Sequence, residues 1–197
     1  MMAEDRKAEI LQAFKRLVSR FGLDKTTMQD IAREAGVSVG VIYKDYANKE
    51  ELIDAYADLI MKRFVVEYQK LVDKSYSPEQ QLHDLIVGSF KLMNQTIIDD
   101  LGIHQILADE NSLKYVRKNF SRKREIENHL VNMIAEVLQD GVTQGVFRVE
   151  DIQGTAVLFG EAFDGYFMKG LLGGGNMDHY LPKIELMFQF LLKNIKR

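Results

Sequence analysis

Proline is nearly absent from this chain: among its 197 residues it occurs only as Pro78 and Pro182. Because proline disrupts hydrogen bonding in a helix interior, few positions prevent long helices from forming. Apolar residues recur at three- and four-residue spacing through most of the chain, which is typical of amphipathic helices. The sequence therefore predicts an all-α protein with about nine helices.

The composition is that of a globular protein, with 46% hydrophobic and 28% charged residues. The absence of cysteine excludes disulfides and thiolate chemistry. No apolar run approaches the roughly 18 residues of a membrane span, and no apolar signal segment follows the first methionines. We therefore expect a cytoplasmic protein with no membrane partner.

The charge distribution gives no general attraction for nucleic acid. The formal net charge is −3, and the first 50 residues hold nine Lys and Arg against eight Asp and Glu. A protein without an overall basic field can contact phosphates only through bases placed locally. Any binding to DNA must therefore come from the arrangement of individual residues.

The N-terminal segment has the pattern of two short helices joined by a glycine turn. Thr27 and Ser38 are typical N-cap residues, and Gly36 can adopt the left-handed backbone that a tight reversal needs. Such a unit lets its second helix enter the DNA major groove. Apolar spacing and capping residues predict helices over 5–21, 27–35 and 38–46.

The same segment carries a more specific pattern. Ile10-Leu11 and Gly22 are followed by Thr26-Thr27-Met28-Gln29-Asp30-Ile31-Ala32, then by Ala35-Gly36-Val37-Ser38, Gly40, Ile42-Tyr43, Tyr46 and Lys49-Glu50-Glu51-Leu52. In these residues the chain resembles the TetR family of bacterial transcriptional regulators. The resemblance implies an N-terminal DNA-binding domain, placed at 1–47, and a C-terminal ligand-binding and dimerisation domain, 48–197, joined by the helix that starts at 48.

Several residues of this segment are candidates for DNA contact. Gly40 has no side chain and permits close approach to DNA, while the Tyr43 hydroxyl and Lys49 can bind phosphates. The alternatives are that Tyr43 is a core aromatic and that Lys49 is a solvated charge. The predicted DNA-binding residues are Thr27, Gln29, Ser38, Val39, Gly40, Val41, Tyr43, Lys44 and Lys49.

The chain departs from the family pattern at three positions. Val39 and Val41 stand where Lys and Thr are common, and they offer only apolar contact to a thymine methyl. Asp45 stands where many relatives have His, and its charge would repel a phosphate unless Lys44 or Arg33 compensates. Hydrogen-bonded reading of bases by this helix is therefore expected to be sparse.

The C-terminal helices suggest a dimer. The segment 152–171 is apolar around most of its circumference, so it is expected to be buried on more than one side, and the last helix offers a matching apolar stripe. The resemblance implies that these two helices of each subunit form a four-helix interface, with a palindromic operator as the consequence. The predicted interface residues are Gly160, Tyr166, Phe167, Ile184, Met187, Phe190 and Leu191.

The resemblance also implies a small-molecule pocket among the middle helices, predicted over 48–73, 78–98, 99–109 and 112–140. Aromatic and Met residues at helical spacing can equally form ordinary core. Glu161 and Asp164 could bind a cationic ligand or lie paired at an interface rim. The candidate ligand-binding residues are Phe64, Tyr68, Phe90, Met93, Asn94, His104, Met133, Phe159 and Phe163.

The resemblance, together with these residues, implies a homodimeric regulator, and specifically a repressor that leaves its operator when an unidentified small molecule binds. The alternatives are a ligand-independent DNA-binding dimer and a helical enzyme or carrier that keeps the N-terminal module for packing. No catalytic, cofactor or metal-ligand motif occurs, so we expect no enzyme activity, cofactor or metal. The basic run from Lys114 to Arg124 is expected to be a solvated helix face.

Overall fold

The computed structural model describes residues 3–99, 120–172 and 178–197. Regular structure within these ranges is helical, apart from one isolated antiparallel bridge between Phe147 and Lys196. The predicted all-α class is therefore confirmed. The predicted helix over 99–109 and the start of the one over 112–140 lie outside the described residues.

The described chain forms two compact units, and the first contains residues 3–63 with 97–99. Its core is built from apolar residues that the helical spacing places inward, with Phe14 packed edge-on against Tyr56 at 5.6 Å between ring centres. The helices of this unit are α1 (Ala3–Phe21), α2 (Met28–Glu34), α3 (Val39–Asp45) and the first part of α4 (Lys49–Gln69).

Local caps and one glycine set the turn between α2 and α3. The Thr27 hydroxyl accepts a hydrogen bond from the Asp30 amide while the Asp30 carboxylate accepts one from the Thr27 amide, which is a capping box. Ser38 caps α3 by accepting from the Val41 amide at 3.3 Å. Gly36 has a φ of 67°, so the predicted left-handed reversal is confirmed.

The second unit contains residues 64–96, 120–172 and 178–197. Its core includes Leu82, Leu138, Phe147, Ala156 and Phe188. Besides the end of α4, its elements are α5 (Pro78–His83), a π-helical segment (Asp84–Gly88), α6 (Ser89–Asp99, ending in the first unit), α7 (Phe120–Thr143), α8 (Ile152–Leu172) and α9 (Leu181–Ile195).

Two predicted boundaries differ from the structure. Helix α4 ends at Gln69 and not near 73, because the next amides hydrogen-bond three residues back and tighten the last turn. The helix predicted over 78–98 contains the π-helical segment, which widens it locally. Gly145, with a φ of 74°, follows the end of α7, whereas Gly141 lies inside that helix.

Within the described ranges, no helix combines the length and the apolar character needed to cross a membrane.

Candidate nucleic-acid interface and ligand cavity

The outer side of α3 is the candidate nucleic-acid interface. Ile42 points into the core, whereas Val39, Gly40 and Lys44 are exposed and Tyr43 keeps 50% of its surface exposed. Val41 is half-buried and therefore offers less surface than Val39. The alternative in which Tyr43 is a core aromatic does not fit this exposure.

The start of α2 lies close to α3 along the chain and supplies two of the predicted contacts. Gln29 is exposed. The Thr27 hydroxyl donates to Asp30 Oδ2 at 2.6 Å and accepts from the Asp30 amide at 3.2 Å, so the cap already uses it. A phosphate at Thr27 would compete with this capping box.

Lys49 is held by the backbone of the first unit. Its Nζ donates to the carbonyl oxygens of Leu23 at 2.5 Å and Thr26 at 2.9 Å, and burial lowers the pKa of its ammonium group. The alternative in which Lys49 is a fully solvated charge does not fit these contacts. Since an ammonium group has three N–H donors, one donor remains for a phosphate.

Asp45 is neutralised from α1. The Arg6 guanidinium donates to both carboxylate oxygens of Asp45, at 2.6 and 2.8 Å, and the Asp45 side chain is almost buried. This hydrogen-bonded contact holds the pKa of Asp45 below its usual value. Arg6 is thus the main compensating base, and the charges of Lys7 and Lys44 also lower the pKa of Asp45. Arg33 pairs instead with Asp30 in its own helix.

Arg16 is also paired, with Glu9 in its own helix and with Glu34 of α2, at 3.0 and 2.8 Å. These contacts raise the pKa of Arg16 further above an already high value. The ion pair of Arg6 with Asp45 joins α1 to α3, and that of Arg16 with Glu34 joins α1 to α2. Lys44 is the exposed base on α3 itself.

A cavity of about 560 Å³, partly open to solvent, lies in the second unit. Its wall is formed by the end of α4, the π-helical segment and helices α6, α7 and α8. The lining residues are Tyr68, Leu85, Ile86, Ser89, Phe90, Asn128, Leu130, Val131, Asn132, Ile134, Gln153, Val157, Phe159, Gly160, Glu161, Phe163 and Asp164.

The structure brings Tyr68, Phe90, Phe159 and Phe163 together around this cavity, out of the nine residues predicted to bind ligand. The other positions differ for local reasons. The Phe64 ring packs against that of Tyr68, with 5.9 Å between the ring centres, and the Asn94 amide donates a hydrogen bond to Asp178. Met93 is buried in the core. The rotation of α7 turns Met133 away from the side of that helix that lines the cavity. His104 lies outside the described residues.

The predicted dimer residues separate into outward and inward sets. Phe190 is 64% exposed, Met187 and Leu191 are half-buried, and Ile184 has no exposed surface left to bury against a partner. Leu186, two residues after Ile184 and therefore on the opposite side of α9, is 73% exposed.

Among the described side chains of α8, Leu158 is an exposed large apolar residue, whereas Gly160 lines the cavity beside Val131 of α7. The Tyr166 ring lies 6.2 Å from that of Tyr180, and the side chain of Phe167 lies outside the described part. Sequence reasoning missed Leu158 and Leu186. The spacing of Leu186, four residues before Phe190, is the signal that could have found it.

Comparison with known proteins agrees with this geometry. The family model for bacterial regulatory proteins of the tetR family matches residues 10–56, which include α2, α3 and the turn between them. The chain belongs to the TetR family. It is a transcriptional regulator, and this family does not consist of enzymes, in agreement with the prediction that the chain is not one.

Relatives and solved structures extend the similarity beyond the matched segment. The HTH-type transcriptional repressor KstR2 of Mycobacterium tuberculosis strain H37Rv is 28% identical over 148 residues, covering 73% of this chain and 70% of KstR2. A TetR transcription regulator from Haloarcula marismortui has the same fold, with a TM-score of 0.71, 21% identity and coverage of 98% and 100%. The structure of the ketosteroid transcriptional regulator KstR2 gives a TM-score of 0.51 at 22% identity, with coverage of 100% and 97%.

Replacing Gly40 by alanine should separate the stability of this TetR-family protein from its DNA affinity. The nearest atom to the added methyl group would be Ser38 Oγ at 4.0 Å, so the free protein has room for it. We expect unfolding free energy to rise by about 1 kcal/mol, because alanine favours the helix. DNA affinity should fall about ten-fold if the methyl group blocks close approach to DNA.

Chemical unfolding followed by circular dichroism and anisotropy of a labelled operator measure the two effects. Gly88→Ala is the matched control, since its methyl group would make ordinary contacts 3.6 Å from Leu71. Unchanged DNA affinity in Gly40→Ala would remove Gly40 from the contact surface.

Replacing Asp45 by asparagine should destabilise the first unit in a pH-dependent way. The pKa of Asp45 is lower in the folded protein than in the unfolded chain, so the Arg6 contact stabilises the fold above the unfolded pKa of about 3.9. The stability difference between the wild type and Asp45→Asn should therefore be constant near neutrality and shrink as pH falls below about 4.

Denaturant unfolding at a series of pH values checks this dependence. Asp24→Asn is the control, because it removes an exposed carboxylate of the same unit without breaking the contact with Arg6. A difference that stays constant down to pH 2 would show that the ion pair does not stabilise the fold.

Proposed function

We propose that this TetR-family protein is a cytoplasmic repressor whose dimer holds two copies of α3 on a palindromic operator and releases it when a small molecule binds. The main support is the outer side of α3, where Tyr43, Gly40 and Lys44 are exposed, while the inner side of this helix packs in the core of the first unit. The proposed domains are 1–47 for DNA binding and 48–197 for ligand binding and dimerisation.

In this proposal, different exposed residues contact the phosphates and the bases of the DNA. Tyr43 and Lys44 carry the phosphate contacts, because one offers a hydroxyl donor and the other a positive charge. Val39 offers a methyl contact to thymine, and Gln29 is the exposed amide that can hydrogen-bond a base edge. Thr27, Ser38 and Lys49 act mainly by holding the backbone of the helix-turn-helix, with Val41 at the edge of the surface.

The proposed dimer is formed by the outward sides of α8 and α9. Leu158, Leu186 and Phe190 are exposed large apolar side chains in the second unit, which soluble proteins usually cover at an interface. Met187, Leu191 and Tyr166 keep partial exposure beside them. A symmetric pair of such surfaces would give an isologous dimer with two equivalent α3 helices.

Helix α4 is the proposed coupling element. It begins with Lys49, which binds the backbone carbonyls of the first unit, and continues as one helix to Tyr68, which lines the cavity of the second unit. A ligand that moves the end of α4 would therefore act on its start. Shifting the protein almost fully between two states needs about 5.5 kcal/mol of difference in ligand affinity.

The ligand-independent dimer remains the alternative to this mechanism. A collapsed second unit would favour that alternative, whereas the cavity of about 560 Å³ supports a small-molecule effector. One relative is described as a ketosteroid transcriptional regulator. A neutral ligand of that kind is thus one hypothesis for the effector of this chain.

Selection of bound fragments from genomic DNA, repeated at two salt concentrations, tests the proposal. We expect a specific palindromic site whose binding weakens as salt rises, because phosphate contacts release counterions. Tyr43→Phe should weaken binding to this site about ten-fold, since a hydrogen bond to a charged phosphate is lost.

Tyr76→Phe is the matched control for this experiment, because Tyr76 is equally exposed in the second unit. Mass spectrometry first shows that the purified protein carries no small molecule. If this ligand-free protein then enriches no DNA site, the operator proposal is overturned.

Introducing a charge on the outward side of α9 should dissociate the dimer. Leu186→Glu and Phe190→Glu would each bury a carboxylate in an apolar interface, which costs several kcal/mol when the charge is unpaired. We expect sedimentation to give twice the chain mass of 22.7 kDa for the wild type and the chain mass for both variants. Val66→Glu is the control, because Val66 is an exposed valine on α4, and this variant should stay dimeric. If both α9 variants stay dimeric as well, the dimer interface does not include this side of α9.

A further inference from the structure

We propose that Lys7 of α1 joins Lys44 of α3 in a site that binds the phosphate backbone of DNA. Lys7 lies outside the helix-turn-helix, so the site extends the DNA-binding surface to a third helix. The inference rests on the proposed function in taking the outer side of α3 as the side that faces DNA. The bound group is a phosphodiester, which any DNA sequence supplies.

The Arg6–Asp45 ion pair brings the first turns of α1 to the end of α3. Two nitrogens of the guanidinium donate to the two carboxylate oxygens at 2.6 and 2.8 Å, so the contact fixes an orientation as well as a distance. Lys7 follows Arg6 in α1. Lys44 precedes Asp45 in α3, and adjacent Cα atoms are only about 3.8 Å apart along a chain. The ion pair therefore holds the two lysines at neighbouring positions of adjacent helices.

Both lysines act on the same carboxylate. The pKa of Asp45 is lowered chiefly by the hydrogen bonds from Arg6, and the charges of Lys7 and Lys44 lower it further. Because the attraction between charges falls with distance, both ammonium groups lie near this carboxylate. Arg6 already neutralises Asp45, so the site keeps the two positive charges of the lysines for an external anion.

The two ammonium groups are available to such an anion. Lys7 and Lys44 are exposed, and within the described residues no hydrogen bond or ion pair joins either of them to a carboxylate. Glu4 and Asp5 precede Lys7 in the first turn of α1, and neither forms an ion pair with it in that part of the chain. An ammonium group has three N–H donors, so each lysine can contact a phosphate oxygen.

The site lies beside the exposed surface of α3. Tyr43, which precedes Lys44, keeps 50% of its surface exposed. Phosphate contacts fix the orientation of a protein on DNA without reading its sequence. The net charge of −3 provides no general attraction for DNA, so bases placed together by a tertiary contact carry more of the binding.

The salt dependence of DNA binding tests the site in the full-length protein. Each lost phosphate contact lowers the slope of log K against log salt concentration by about 0.9. We therefore expect Lys7→Gln to lower the slope by about 0.9 for each bound subunit, and to weaken binding about two- to five-fold per subunit. Lys7→Arg should keep the wild-type slope, because it keeps the positive charge.

Lys62→Gln is the matched control. Lys62 is an exposed lysine of the first unit that lies about 20 Å along α4 from the start of that helix, so its slope should equal that of the wild type. Circular dichroism first shows that each variant is folded. Anisotropy then measures binding to the selected operator, to a variant of it with one base pair changed, and to a random duplex at low salt. A phosphate contact predicts the same loss on all three.

The phosphate site is overturned if Lys7→Gln keeps the wild-type slope, if Lys62→Gln loses as much, or if the loss differs between the operator and its variant, since Lys7 would then read a base. Specific binding by the wild type with an unchanged slope in Lys7→Gln would retain the repressor proposal and remove the site on α1. If no operator is selected, a lower slope for Lys7→Gln on the random duplex would support the phosphate site while the operator proposal fails.

Discussion

Helix α3 has seven residues, and a helix of that length is not stable in water by itself. Its position depends on Ile42, which is its buried residue, on the cap from Ser38, and on the Arg6–Asp45 ion pair at its end. The outer side can therefore carry Gly40, which disfavours a helix, because stability comes from the inner side and the two ends. The proposed DNA contact therefore depends on packing on the inner side of α3, opposite the exposed surface.

Helix α8 shows how one apolar helix serves two surfaces. Gly160 and Phe163 line the cavity, whereas Leu158, two residues before Gly160, is turned about 200° away and exposed. Glu161 lies between the two sides and is both exposed and part of the lining. The high apolar content seen in the sequence is thus explained by a cavity on one side and an outward apolar surface on the other.

The sequence predicted local structure well where short-range chemistry controls it. The Thr27 capping box, the Ser38 cap and the reversal at Gly36 depend on residues within four positions of one another. The end of α4 and the π-helical segment were not predicted, because they depend on how the chain packs after the helix has formed. Apolar spacing identified buried residues such as Phe64 and Ile184 without revealing what they pack against.

The sequence by itself determined the helical class, the helix-turn-helix and the family, since these follow from hydrogen-bonding caps, helical periodicity and a motif contiguous in the chain. Only the tertiary structure decided that Arg6 neutralises Asp45, 39 residues away, and that Tyr68 and Phe163 share one cavity. The physical reason is distance along the chain: a side chain meets partners from remote helices only after packing fixes the rotation of each helix.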